Sequence, residues 1–320
     1  MSLVVFVGRR LAAAAVLLVL LSAAIFAATA VLPGDAVSAV AGVDASEAQR
    51  AEVRAGLGLD RPAAERYADW AVRAVRGDLG HGFVGERPVT EVLATRLPNS
   101  LLLAGLTLAV TAPLAALLGL WTGLRGGGAD RLVSTAAQIL AAVPEFVTAA
   151  LLVAVLAVWL EVLPRVCVIP LGGTPLDAPR ALILPVLTLS TVGLAVATRL
   201  LRVSVADTAA TPYCEAARLN GVRGVRLAVR HILPNAAGPA VQALTLTTGA
   251  LVGSAVVVEN VFDYPGIGRE LQLAVAARDV PMVQGIATAL VAVMLAVLLL
   301  GDLCARLLGA REEDGRWRRP

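Results

Sequence analysis

Long apolar stretches separated by short polar segments dominate this chain of 320 residues. A helix that crosses a membrane needs about 20 mostly apolar residues. Six stretches reach that length, at roughly 11–32, 101–124, 132–160, 181–201, 236–258 and 281–305. The pattern predicts an all-α, polytopic membrane protein with six transmembrane helices and a helical external insertion. The first stretch follows Arg9-Arg10 and ends near Ala28-Thr29-Ala30, which looks like a signal peptide with its cleavage site. Its apolar run is longer than the roughly 7–15 residues of a signal peptide's hydrophobic region, so it is expected to remain as an anchor.

The largest polar segment, 33–97, carries its own helix signals. Ser46 with Gln49 forms a capping box that opens a short helix, ended by Gly56 and Gly58. A second helix over roughly 61–76 starts near Asp60 and Pro62 and stops at Gly77. Tyr67, Trp70, Ala71 and Ala74 give it one apolar face, read as a lid on the membrane domain or a docking surface for an external partner. The expected domains are an N-terminal transmembrane helix at 1–32, the external insertion at 33–97, a five-helix core at 98–308 with a cytoplasmic loop at 203–235, and a cytoplasmic tail at 309–320.

Composition supports a membrane protein. The chain is 58% hydrophobic and 16% charged with a mean hydropathy of +0.79. Soluble domains hold about 45–50% apolar and about 25% charged residues. All 27 basic residues are arginine. A P-loop needs a lysine to reach the phosphates, so this chain contains none, and lysine Schiff-base chemistry is excluded as well. Cys167, Cys214 and Cys304 are far apart, and His81 and His231 are the only histidines. They make no metal-ligand spacing, and no metal or cofactor is expected. No catalytic constellation and no nucleic-acid motif is visible.

Arginine also orients the chain. With the N-terminus inside, the inner segments hold fifteen arginines against seven acids, and the outer segments twelve arginines against sixteen acids. The excess of inner arginine places both termini in the cytoplasm.

The polar loop between the fourth and fifth stretches is the most structured. Thr211 suits an N-cap and Pro212 a first helical position. The helix should run over roughly 212–220 and end at Gly221 in a left-handed conformation. Glu215 lies in its first turns, where the helix dipole favours a negative charge. Ala216 and Ala217 leave room for another surface to approach. After Gly224, Val225, Ala228, Val229 and Ile232 are expected to line one helical face and Arg223, Arg226 and Arg230 the other, before Pro234 starts the next span. Such a helix is suited either to acidic lipid headgroups or to a docking protein.

Tyr213-Cys214-Glu215-Ala216-Ala217-Arg218-Leu219-Asn220-Gly221, closed by His231-Ile232-Leu233-Pro234-Asn235, resembles the EAA loop of ATP-binding cassette (ABC) importer permeases. The chain is similar to the dipeptide, oligopeptide and nickel permeases, specifically the subunit with the large first external region. Further matches in order are Leu32-Pro33-Gly34-Asp35, Gly58-Leu59-Asp60, Gly77-Asp78-Leu79-Gly80 and Arg96-Leu97-Pro98, the last opening the second span. Val258-Glu259-Asn260-Val261-Phe262, Tyr264-Pro265-Gly266-Ile267-Gly268 and Arg278-Asp279-Val280-Pro281 fill the last external loop. His231 departs from the general motif, which often has an apolar residue there, although Arg-His is familiar in the peptide/nickel group.

The resemblance implies a pore subunit of an ABC importer in a bacterial cell membrane, multi-pass and surrounded by lipid, importing di- or oligopeptides, or nickel or another small solute. Its partners would be a second homologous permease, two ABC ATPase subunits and an extracytoplasmic solute-binding protein, with no nucleic acid. ATP hydrolysis would belong to the ATPase chain. Glu215, Ala216, Ala217, Gly221, Arg223, Arg226 and Pro234 would form the ATPase-coupling site. An ion-coupled secondary transporter and a membrane scaffold or receptor are the alternatives. The former needs intramembrane ion or proton sites, which are sparse here.

Two more residues stand out. Glu145 follows Pro144 inside the third stretch, where a carboxylate is costly; lining the translocation pathway, bonding to a neighbouring helix and protonation in lipid are its possible roles. Asp279 is placed to cap the sixth span, and Pro265-Gly266 reads as a turn.

Overall fold

The computed structural model describes residues 3–31, 36–42, 44–170 and 172–316. Among them the regular structure is helical: α1 (Leu3–Val31), α2 (Ala36–Ala41), α3 (Glu47–Gly56), α4 (Ala63–Val75), α5 (Val89–Arg125), α6 (Gly127–Ala142), α7 (Glu145–Leu152), α8 (Pro179–Ala209), α9 (Pro212–Leu219), α10 (Gly224–Leu227), α11 (Leu233–Val261), α12 (Ile267–Ala276) and α13 (Val280–Arg316). Wider π-helical turns follow α7 over Val153–Trp159 and α10 over Ala228–Ile232. Five helices are long and apolar enough to cross a membrane, or six if a bent pair counts as one span. The motif at Leu32-Pro33-Gly34-Asp35 and the tail arginines Arg318 and Arg319 lie outside the described residues.

The chain forms two compact units, Met1–Leu101 with Asp263–Leu295, and Leu102–Phe262 with Ala296–Pro320. In the first, local signals act as the sequence indicates. The Ser46 side chain accepts a hydrogen bond from the Gln49 amide while Gln49 accepts one from the Ser46 amide, 2.9 Å away. α4 lies along the C-terminal half of α1, where the Tyr67 hydroxyl donates to the Val19 carbonyl at 3.1 Å. Rings of Phe26, Tyr67 and Trp70 cluster beside that bond. The core joins Val89 and Val92 of α5, Ile267 of α12, and Met282 and Ile286 of α13.

Asp279 caps α13 through the Met282 amide, 3.3 Å away, and does more than the sequence suggests. Its carboxylate also accepts from the Phe83 amide at 2.9 Å and the Val84 amide at 3.1 Å, so one buried group clamps a turn nearly two hundred residues away in the chain. The expected external loop at 258–281 is largely helical. Residues 258–261 form the last turn of α11, with Glu259 fully buried, and the run after Gly266 is α12. The Tyr264 hydroxyl donates to the Asn99 carbonyl at 2.7 Å, Asn99 donates back to the Pro265 carbonyl at 2.8 Å, and the Ile267 amide donates to Ser100 at 2.8 Å. Those bonds need residues 99 and 100 on a rigid element. α5 accordingly starts at Val89 and runs through Pro98, ahead of the expected opening of the second span at Arg96-Leu97-Pro98.

α8 is central to the second unit, packed by α6, α7 and α11. The buried hydroxyls of Thr188 on α8 and Thr247 on α11 bond back along the backbone, to the Leu184 and Ala243 carbonyls, each at 2.8 Å. α5 meets α8 through Gly119 and Gly123. A Cβ on Gly119 would lie 2.7 Å from the Leu201 Cβ, and one on Gly123 would lie 2.9 Å from the Arg202 carbonyl oxygen. Arg202 also grips Asp130 at the start of α6 with both arms of its guanidinium, one contact being 2.6 Å.

The third expected span, 132–160, is not one straight helix. Asp130–Ala142 and Glu145–Trp159 meet at a bend of 101°. Val143 precedes proline and is driven to extended backbone, and Pro144 adopts ψ of 145°. The break turns the Glu145 carboxylate into the first residue of a new helix.

Candidate functional site

The loop between α8 and α11 folds as a compact hook within the second unit. The Thr211 side chain caps α9, accepting from the Cys214 amide at 3.5 Å, and itself donates to the Thr208 carbonyl at 2.8 Å. Such a cap contributes about 1 kcal/mol. At the other end the Val222 amide donates to the Ala217 carbonyl and the Gly221 amide to the Arg218 carbonyl, both at 3.0 Å. These two bonds form a Schellman closure, which requires a left-handed residue at Gly221, and its φ is +83°. Val222 packs back on the same cluster as Ala217.

That cluster holds the hook in place. Val205 and Ala209 from α8, Cys214 and Ala217 from α9, Leu227, Ile232 and Ala236 pack together, with Cys214 and Ile232 fully buried. An eight-residue helix is too short to persist alone in water, so this packing maintains it. The hook is therefore joined to the end of α8 and the start of α11.

The predicted site residues separate into two sets. Glu215, Ala216, Gly221, Arg223 and Arg226 lie on the exposed face, and Pro234 is exposed in the first turn of α11. Ala217 does not face outward; it is 7% exposed, and its small side chain lets α9 settle on its own chain. The expected apolar face of 225–232 holds at Ala228 and Ile232 and is corrected at Val225 and Val229. Val225 and Val229 are 79% and 55% exposed, whereas Leu227, Ala228 and Ile232 are buried. The π-helical turn over Ala228–Ile232 widens the spacing from 3.6 residues per turn, so a regular helical period misassigns the face.

The outer face thus mixes apolar and charged groups. Leu219, Tyr213, Val225 and Val229 are exposed among Glu215, Arg218, Arg223, Arg226 and Arg230. Exposed apolar groups set in a rim of charge are the composition of a docking surface. Sequence reasoning missed one feature. The Tyr213 hydroxyl and His231 Nδ1 are 2.8 Å apart with ring centroids at 5.5 Å, tying α9 to the π-helical turn. The unusual histidine noted in the sequence was the available signal.

The burial of Cys214 has a measurable outcome. Among the described residues Cys214 and Cys167 are buried and Cys304 is exposed. A small permeant maleimide should modify one thiol in the folded, detergent-solubilised chain and three after denaturation, read by intact mass. Rapid modification of Cys214 in the folded protein would show that the hook is not packed as described.

Glu145 is the second candidate. Its Oε1 accepts a hydrogen bond from the Ser254 hydroxyl of α11 at 2.7 Å, the neighbouring-helix contact that is one of its expected roles. The carboxylate begins α7, where the helix dipole favours it, and the residue is only partly buried. Among the described residues no group of histidine, cysteine, aspartate and glutamate could hold a metal ion.

Comparison with known proteins places these features in a family. The family described as "Binding-protein-dependent transport system inner membrane component" matches residues 115–314, and its N-terminal counterpart matches residues 3–104. A putative peptide transport system permease protein of Brucella abortus is 31% identical over 296 residues, covering 92% of this chain and 94% of that protein. A putative peptide permease protein of Brucella ovis is 34% identical over 311 residues, covering 92% and 94%. A glutathione transport system permease protein of Pectobacterium atrosepticum is 34% identical over 280 residues, covering 87% and 89%. With helices suited to span a membrane, a capped hook between α8 and α11 and matches across nearly its whole length, the chain belongs to the inner membrane components of binding-protein-dependent transport systems, as a multi-pass permease rather than an enzyme.

Proposed function

We propose that the chain is one of two pore-forming subunits of an ATP-driven importer of di- or oligopeptides. The observation that carries this reading is the exposed face of the α9 hook, rigidly joined to α8 and α11. The names of the relatives, peptide and glutathione permeases, favour peptides over nickel or another small solute. The partners are a second homologous permease, two ATPase subunits that grip the hook from the cytoplasm, and a binding protein outside. Both termini lie in the cytoplasm, as the arginine excess favours.

In this reading Glu215, Ala216, Gly221, Arg223, Arg226 and Pro234 contact the ATPase, while the buried Ala217 supports the contact from behind. Closure of the ATPases on ATP pushes the hook. The cluster of Val205, Cys214, Leu227 and Ile232 passes that displacement to α8 and α11 as one body. Segment 33–97 forms an external insertion on the core of 98–308. Glu145, partly exposed and bonded through one oxygen to Ser254 of α11, is placed in this reading beside the translocation pathway, where its second oxygen meets water rather than lipid.

Reconstitution tests the proposal. Proteoliposomes holding the chain with its second permease, ATPases and binding protein should accumulate a labelled tripeptide only with ATP. The chain alone should hydrolyse none, since it lacks the lysine a P-loop requires. Uptake of nickel but not peptide would reassign the solute. Sustained hydrolysis by the pure chain would overturn the division of labour.

A further inference from the structure

The first unit contains a cleft of about 720 Å³ that the transport reading does not use. Its floor is made by the ends of two spanning helices, Phe26 of α1 and Gln284 of α13. Each lies four residues, about 6 Å at 1.5 Å per residue, from the end of its candidate span. The Gln284 side-chain amide donates to the Thr29 hydroxyl at 2.7 Å, holding both ends at the same level. Helices of 27 and 28 residues are about 40 Å long against an apolar slab of about 30 Å, so this level falls near the meeting of headgroups and slab.

Its wall is α4, which presents Arg66, Trp70 and Arg73 at helical spacing on one face. The Arg66 guanidinium sits over the Phe26 ring at 5.8 Å, and its buried Nε has no hydrogen-bond partner among the described residues. The acid in the cleft, Asp69, is already engaged by Arg61 at 2.7 Å. No described acid pairs with Arg66 or Arg73, so the cleft carries surplus positive charge beside aromatic and aliphatic side chains.

We propose that this cleft seats an anionic phospholipid, with the phosphate held by Arg66 and Arg73 and the glycerol end against Phe26. An acidic protein surface would supply charge but no apolar group for a floor inside the span. A lipid supplies both, at the depth where the cleft lies. The site is independent of the solute carried.

Native mass spectrometry of the full chain in detergent tests this, with phosphatidylglycerol, phosphatidylcholine and inorganic phosphate as probes. One phosphatidylglycerol should remain bound and raise the melting temperature, about tenfold tighter than phosphatidylcholine, whose choline offsets the charge. Arg66→Ala should weaken that binding about tenfold, and so should Arg73→Glu, whose position is exposed and tolerant. Arg165→Ala, the same loss of charge as Arg66→Ala but at an exposed position in the other unit, should leave it unchanged. Equal retention of both lipids, undiminished binding in the Arg73→Glu protein, or the same stabilisation by inorganic phosphate alone would each overturn the proposal.

Discussion

Gly221→Val should reach the membrane at wild-type abundance and yet fail to drive solute uptake. Gly221 has φ of +83°, and a Cβ there would meet nothing within 4 Å, so the cost is backbone strain alone. That strain is about 1–2 kcal/mol, enough to misplace a two-turn helix and too little to unfold a bundle of membrane helices. The Schellman bonds at Val222 and Gly221 would be lost, and α9 would swing away from the face it shares with Val225 and Arg226. Glu215→Lys should have the same phenotype by another route. It places a positive charge in the first turns of α9, against the helix dipole, and removes a carboxylate from the exposed face. Membrane abundance, co-purification of the ATPase and uptake separate the outcomes. Wild-type uptake in both variants would remove the hook as the coupling element.

Replacing Gly119 and Gly123 by leucine should instead abolish the folded protein. The first Cβ would meet Leu201 at 2.7 Å, and the second would meet Val205 at 2.8 Å and the Arg202 carbonyl at 2.9 Å. A backbone atom cannot turn aside as a side chain can, so α5 and α8 would have to separate. Overpacking at one site costs about 1–3 kcal/mol. Two adjacent sites on one seam would also detach the surfaces that small residues allow to meet in a membrane. Separation would strain the grip of Arg202 on Asp130 as well. Gly105 on the same helix is the control, because a Cβ there meets nothing within 4 Å. Gly105→Ala should be neutral or slightly stabilising, since alanine favours helix by about 1 kcal/mol. Abundance in the membrane and the melting temperature in detergent report both. A double leucine variant with wild-type values would show that the two helices do not approach as closely as the geometry requires.

The same contrast runs through the molecule. Cap signals at Ser46, Thr211, Gly221 and Asp279 were legible because each acts over three or four residues, within the reach of local backbone geometry. Apolar runs marked the spans because the cost of taking unpaired backbone into lipid admits little but helix. The hook was legible for both reasons, since its polar composition lies between two such runs and its caps are local.

Tertiary packing decided the rest. A hydrophobic period assumes a regular helix, so beside the π-helical turn at Ala228–Ile232 it placed Ala228 and Ile232 correctly but buried Val225 and Val229 in place of Leu227. Ala216 and Ala217 are chemically identical, yet only the second lies against α8 and Leu227, because successive helical residues point about 100° apart. Proline at 144 announced a break, but its angle of 101° and the bond from Glu145 to Ser254 depend on where α11 passes. Asp279 read as a cap and proved also to hold residues 83 and 84. The sequence by itself determined where helices start, stop and enter apolar surroundings, because those choices are governed by neighbours along the chain. Only the tertiary structure decided which face of each helix is covered and which distant groups share a bond, because packing sets those across separations that no local preference spans.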